Sequence, residues 1–120
     1  MASILIVEDE GSLRKALGAL LRSAGYEVSE VTDGEGAFSI LKKNKFDLVL
    51  TDLMMKKVSG EEVLKRVKQI SPETEVVVIT GYGTIQSAVE SIKSGAFDYI
   101  SKPFKTEEIL KVIEKALEKR

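Results

Sequence analysis

Four stretches of this 120-residue sequence carry side chains able to act together: the acidic run Glu8-Asp9-Glu10, the lone Asp52 behind Leu48-Val49-Leu50-Thr51, the pair Thr80-Gly81, and Ser101-Lys102-Pro103. They offer carboxylates, a hydroxyl and an ammonium. The sequence has no histidine and no cysteine. The first absence removes His-based metal sites, His general bases and Ser-His-Asp triads. The second excludes disulfides and thiol or Cys-type zinc chemistry. Hard oxygen donors alone point to magnesium, a cation held by one or two carboxylates together with water and a substrate phosphate. Two carboxylates about 4 Å apart repel by about 4 kcal/mol at an effective dielectric of about 20, so such a cluster needs a cation or a raised pKa.

What brings these residues together is the alternation of the elements that carry them. Apolar or β-branched runs at 4–7, 28–31, 48–51, 76–80 and 99–100 alternate with five segments of helical period, the rhythm of parallel βα units. The runs at 4–7, 48–50 and 76–79 are apolar without alternation, as strands covered by helices on both faces should be. They belong in the centre of the sheet. The run at 28–31 is partly polar and the last is interrupted by Asp98, so both read as edges.

Leu13, Ala16, Leu17, Leu20, Leu21 and Ala24 form one apolar stripe, with Gly25 as its stop. Ala37, Ile40 and Leu41 mark a second helix, and Val63, Leu64 and Val67 a third that Pro72 ends. Ile85, Ala88, Val89 and Ile92 mark a fourth, stopped by Gly95. The fifth carries Ile109, Leu110, Ile113, Ala116 and Leu117, with Thr106 as N-cap ahead of Glu107 and Glu108.

In an open parallel α/β sheet, ligands sit outside the carboxyl ends of the strands, where strand order reverses. All four chemical stretches fall at such ends. Singly, each has a plainer reading: Glu8-Asp9-Glu10 caps the first helix, Asp52 opens a turn, Thr80 ends a strand and Lys102 is a solvated surface lysine. Their joint placement at four strand ends of one sheet is not required by capping or solvation, and favours a site.

The length fits a single domain spanning 1–120. Eighteen basic against nineteen acidic residues give a net charge of -1, so no overall basic field exists to bind nucleic acid or an anionic membrane. The apolar run after Met-Ala-Ser is too short for a signal peptide or a membrane span, and a cytoplasmic location is expected.

The sequence resembles the receiver domains of two-component response regulators. Ile-Leu-Ile-Val-Glu-Asp-Glu (4–10), Asp-Leu-Val-Leu-Thr-Asp-Leu-Met-Met (47–55), Val-Ile-Thr-Gly-Tyr-Gly-Thr (78–84) and Ala-Phe-Asp-Tyr-Ile-Ser-Lys-Pro-Phe (96–104) carry the resemblance. It implies a doubly wound, flavodoxin-like α/β fold with a five-stranded parallel sheet of order 2-1-3-4-5. Asp52 would be the nucleophile that takes a phosphoryl group from a sensor histidine kinase. Glu8, Asp9, Asp52 and the Met54 carbonyl would hold magnesium, and Lys102 would contact a phosphoryl oxygen and pair with the carboxylates at rest. Thr80 and Tyr99 would form the switch, and the Lys102–Pro103 bond would be cis.

Residues 81–99 look particularly like receivers of the NtrC type, which regulate sigma-54-dependent transcription. That likeness implies an AAA+ ATPase and a DNA-binding output domain in the parent protein, with homodimerisation on phosphorylation through the fourth helix, fifth strand and fifth helix. Met54 and Tyr82 would flank the path of hydrolytic water without a carboxylate or amide to orient it, so self-dephosphorylation is expected to be slow. Many family members carry proline at the position of Lys56.

A stand-alone receiver is an alternative. So is a magnesium-dependent aspartyl-phosphate phosphatase, although Leu53 and Met54 occupy the places where such an enzyme needs a second acid-base Asp. A flavin-binding module is disfavoured because the loop after the first strand is acidic and has no phosphate cradle.

Overall fold

The structure is a computed structural model and describes residues 1–55, 58–81 and 85–119. Five strands and five helices alternate along it. They are β1 (Ser3–Val7), α1 (Gly11–Ser23), β2 (Glu27–Val31), α2 (Gly34–Lys43), β3 (Leu48–Asp52), α3 (Gly60–Ile70), β4 (Glu75–Thr80), α4 (Ile85–Lys93), β5 (Asp98–Ser101) and α5 (Thr106–Lys119). The sheet is fully parallel in the order β2-β1-β3-β4-β5, with the two partly polar runs at its edges.

Side chains alternate across each strand, which divides the core in two. Ile4, Ile6, Leu48, Leu50, Val77, Ile79 and Ile100 pack against Leu17 and Leu21 of α1 and Ile109, Ile113 and Ala116 of α5. Leu5, Val7, Val49, Val76 and Val78 face the other way, onto Ala37 and Leu41 of α2 and Val63, Leu64 and Val67 of α3. Burial on both faces explains why these strands read as unbroken apolar runs.

The two glycine stops act through backbone geometry. Gly25 and Gly95 take φ of 96° and 108°, a region that favours a residue without Cβ. Around each, two backbone bonds close the helix in a Schellman pattern. Gly25 N donates to Arg22 O and Tyr26 N to Leu21 O, just as Gly95 N donates to Ile92 O and Ala96 N to Ser91 O.

One expectation needs correction. Thr106 is the first residue of α5 rather than its cap: Lys105 holds that place, its carbonyl accepting from Glu108 N and Ile109 N. The acidic residues Glu107 and Glu108 still fall in the first turn, as the helix dipole favours. The apolar stripe of α4 marks a helix, as its period implies, but is not a core face. Ile85, Val89 and Ile92 are 87 %, 45 % and 47 % exposed, and Ser91 is the buried residue of that helix. Spacing revealed the stripe but not whether anything covers it. The expectations attached to Lys56 and Tyr82 lie outside the described residues.

Candidate functional site

Sheet register sets the site. Val7 pairs with Thr51, so Glu8 and Asp52 follow at neighbouring strand ends. Asp52 pairs with Ile79 and Thr80 with Ser101, which places Thr80 one step above Asp52 and Lys102 one step above Ser101.

At this edge the Lys102 ammonium lies 2.8 Å from Asp52 Oδ2 and 3.4 Å from Glu8 Oε1. Glu8 is fully buried and Asp52 nearly so, while Asp9 is exposed. One carboxylate oxygen from each of Glu8, Asp9 and Asp52 lies within 4.8 Å of the others. Met54 N donates to Asp52 Oδ1 at 3.0 Å, and its side chain is largely exposed. Thr80 is buried, and its carbonyl accepts from Lys102 N at 2.8 Å. The Lys102–Pro103 bond is cis.

Tyr99 stands apart from this group. Its ring is half-buried, and its hydroxyl lies 3.2 Å from Ser87 Oγ on α4. Gly81 faces the aliphatic stem of Lys102, and a methyl group there would meet that stem at 3.8 Å.

The acidic run divides between a helix cap and the carboxylate cluster. Glu10 is the N-cap of α1 and accepts from Leu13 N. Glu8 and Asp9 are left to the site, with Glu8 Oε2 accepting from Glu10 N at 3.0 Å.

Electrostatics follow from this packing. Burial pushes Glu8 up to about 7, aided by the Asp52 carboxylate and opposed by the Glu10 backbone donor and Lys102. Lys102 is raised despite its own desolvation, because Asp52 and Glu8 both stabilise its charge.

The Glu8 shift gives a pH dependence of defined sign. Its folded pKa of about 7 exceeds the ordinary 4.5, so the folded chain keeps the proton longer than the unfolded one. The resulting stability is complete below the lower value and lost as pH rises through the upper. The metal-free protein should therefore lose up to about 3 kcal/mol from this group between pH 5 and 8. Urea titrations in chelator would check it, and Glu8→Gln should flatten the profile.

Two residues with a part in the site carried no signal in the sequence. Arg14 donates from Nη1 to the Glu8 carbonyl at 3.0 Å. Gly60 packs so closely that a Cβ would overlap the Asp52 carbonyl oxygen and stand 2.6 Å from Leu53 Cα. Arg14 is one of many charged positions on a helix, and Gly60 reads as an ordinary residue after a helix cap. Both depend on contacts that exist only once the sheet is assembled.

A doubly wound parallel sheet with carboxylates and a lysine gathered at its carboxyl edge is the arrangement in which this chain meets known proteins. The chain belongs to the response regulator receiver domain family, whose model matches residues 4–114. Among curated proteins it is 39 % identical over 114 residues to the transcriptional regulatory protein ZraR of Escherichia coli K12, covering 95 % of this chain and 26 % of that protein. It is 35 % identical over 117 residues to the nitrogen assimilation regulatory protein NtrX of Azorhizobium caulinodans, covering 96 % of this chain and 26 % of that one. The chain thus spans about a quarter of the length of these regulators. Among solved structures, the beryllofluoride-activated NtrC4 receiver domain dimer matches with a TM-score of 0.94 at 34 % identity, covering 99 % of this chain and 98 % of that one. These matches place the chain with receivers of the NtrC type. No helix among the described residues is long and apolar enough to cross a membrane.

Proposed function

We propose that this chain is the phospho-accepting switch of a cytoplasmic two-component regulator and that Asp52 is its phosphorylation site. The observation that carries the assignment is the placement of Asp52: at the end of the central strand, bonded to Lys102 at 2.8 Å and clustered with oxygens of Glu8 and Asp9.

The donor set suits magnesium, since three carboxylate oxygens converge with no nitrogen or sulfur ligand among them. Glu8, Asp9 and Asp52 would hold it, together with the Met54 carbonyl. Bound there, magnesium supplies charge neutralisation for the phosphoryl oxygens and alignment for in-line attack.

In the transfer step, an Asp52 carboxylate oxygen forms a bond to phosphorus as the bond from phosphorus to the kinase histidine nitrogen breaks. The electron pair of that bond leaves with the imidazole. Lys102 holds Asp52 in place and then follows the charge to a phosphoryl oxygen. Thr80, one residue beyond the Asp52 partner Ile79, turns its hydroxyl toward the new phosphoryl group, and Tyr99 moves inward, giving up its contact with Ser87. Such a two-state element is biased by a single modification.

The output follows from the uncovered face of α4. Ile85, Val89 and Ile92 with the Tyr99 ring form an apolar surface suited to a second copy of the chain, so phosphorylation would drive dimerisation through α4, β5 and α5. In the parent protein this dimerisation would control AAA+ and DNA-binding domains. The receiver itself binds neither nucleic acid nor membrane and turns over no external substrate.

Intact mass before and after treatment with a small phosphodonor tests the assignment. One phosphoryl group should be gained in magnesium, none in chelator, and none by Asp52→Asn. A gain that survives either the chelator or the substitution overturns it.

A further inference from the structure

We propose that Arg14 is a positioning residue for the acidic loop, setting how tightly Glu8 and Asp9 hold a divalent cation. The inference rests on the reading of this cluster as a magnesium site.

Glu8 and Asp9 are consecutive, so the peptide that joins them aims both carboxylates. Three bonds fix it. Glu8 N donates to Val31 O at 3.2 Å, Glu10 N donates to Glu8 Oε2 at 3.0 Å, and Arg14 Nη1 donates to Glu8 O at 3.0 Å. The last alone comes from a side chain outside the loop. Asp9 is exposed, so its aim depends on the backbone rather than on packing.

Arg14 is itself held from behind. Its Nε lies 3.6 Å from Glu30 Oε1, and the other Glu30 oxygen lies 2.9 Å from Arg22 Nη1. The side chains of Arg14 and Glu30 are only 16 % and 20 % exposed, so this pair is screened less than one on the open surface. Gly18 makes room for it, because a Cβ there would overlap the Glu30 carboxylate. The planar fork of a guanidinium holds the carbonyl and the carboxylate at once, which an ammonium does less well.

Positioning and plain electrostatics predict opposite signs. Arg14 is a positive charge in contact with the backbone of a candidate ligand, and on charge alone its removal should strengthen binding of a dication. If it aims the ligands, removal should weaken binding, by roughly tenfold at the low end for groups that orient metal ligands.

Calorimetric magnesium titration of Arg14→Gln and Arg14→Lys decides between them, with folding checked by far-UV circular dichroism. The expected result is roughly tenfold weaker binding for Arg14→Gln and a smaller loss for Arg14→Lys. Phosphorylation by a small phosphodonor should return to the wild-type rate at saturating magnesium. Binding as tight as wild type or tighter in either folded variant overturns the proposal, and Arg14→Lys carries the test alone if Arg14→Gln fails to fold. Absence of magnesium binding by the wild type would overturn the reading of the site and this inference with it.

Discussion

Replacing Lys102 with alanine should cost the metal-free protein about 3 kcal/mol at pH 8 and less at pH 5.5. Among the described residues, the Lys102 ammonium is the cation placed against both Asp52 and Glu8. Without it two buried carboxylates face each other, and breaking a buried pair by removing one partner typically costs about 3–5 kcal/mol. The low end applies because the lysine side chain is 27 % exposed. The pH dependence follows from Glu8, whose pKa of about 7 is already held down in part by Lys102. At pH 5.5 Glu8 is neutral, and what remains is the loss of the Lys102–Asp52 pair. Urea titration at the two pH values measures the difference as a change in midpoint at constant slope. Magnesium should recover part of the loss at pH 8, since a ligand of the folded state stabilises it. A loss equal at both pH values would mean that the lysine acts through Asp52 or through packing and not through Glu8.

Gly60→Ala should lower the melting temperature by roughly 8 °C and slow phosphorylation. The added methyl group would meet backbone at the end of β3, the Asp52 carbonyl oxygen and Leu53 Cα, rather than a side chain free to swing away. Overpacking costs about 1–3 kcal/mol even where side chains can adjust. A loss near 2 kcal/mol corresponds to that shift at about 4 °C per kcal/mol for a domain of this size. The helix and the strand end must separate, and Asp52 moves with the strand end. Gly81→Ala is the control, because among the described residues its methyl group would meet only the Lys102 stem at 3.8 and 3.9 Å, and it should melt close to the wild type. Thermal melts followed by circular dichroism, together with phosphorylation time courses, would check both effects.

These two residues mark where the sequence was and was not legible. Lys102 was readable because it follows a strand, and strand ends in a parallel α/β sheet share one edge whatever the details of packing. Glu8, Asp9, Asp52 and Thr80 were readable for the same reason, as were the three central strands, whose apolar runs reflect burial on both faces. Gly60, Arg14 and the division of Glu8-Asp9-Glu10 between site and cap were not. Each depends on distances between segments that the chain brings together only through the assembled sheet. The stripe of α4 shows a different limit. Its period established a helix, but whether an apolar face is covered depends on neighbours, and Ile85 at 87 % exposure has little cover.

The order of the strands in the sheet differs from their order in the chain, and this bears on how the protein is made. β1 lies between β2 and β3, yet β3 follows it only after two helices and an edge strand. On a ribosome, Ile4, Leu5, Ile6 and Val7 can meet β2, α1 and α2 first, but the second edge of β1 must wait unpaired until β3 emerges, a delay inherent in non-local parallel pairing. A nascent chain halted just before β3 therefore presents an open strand edge, and that edge closes only with the strand that carries Asp52.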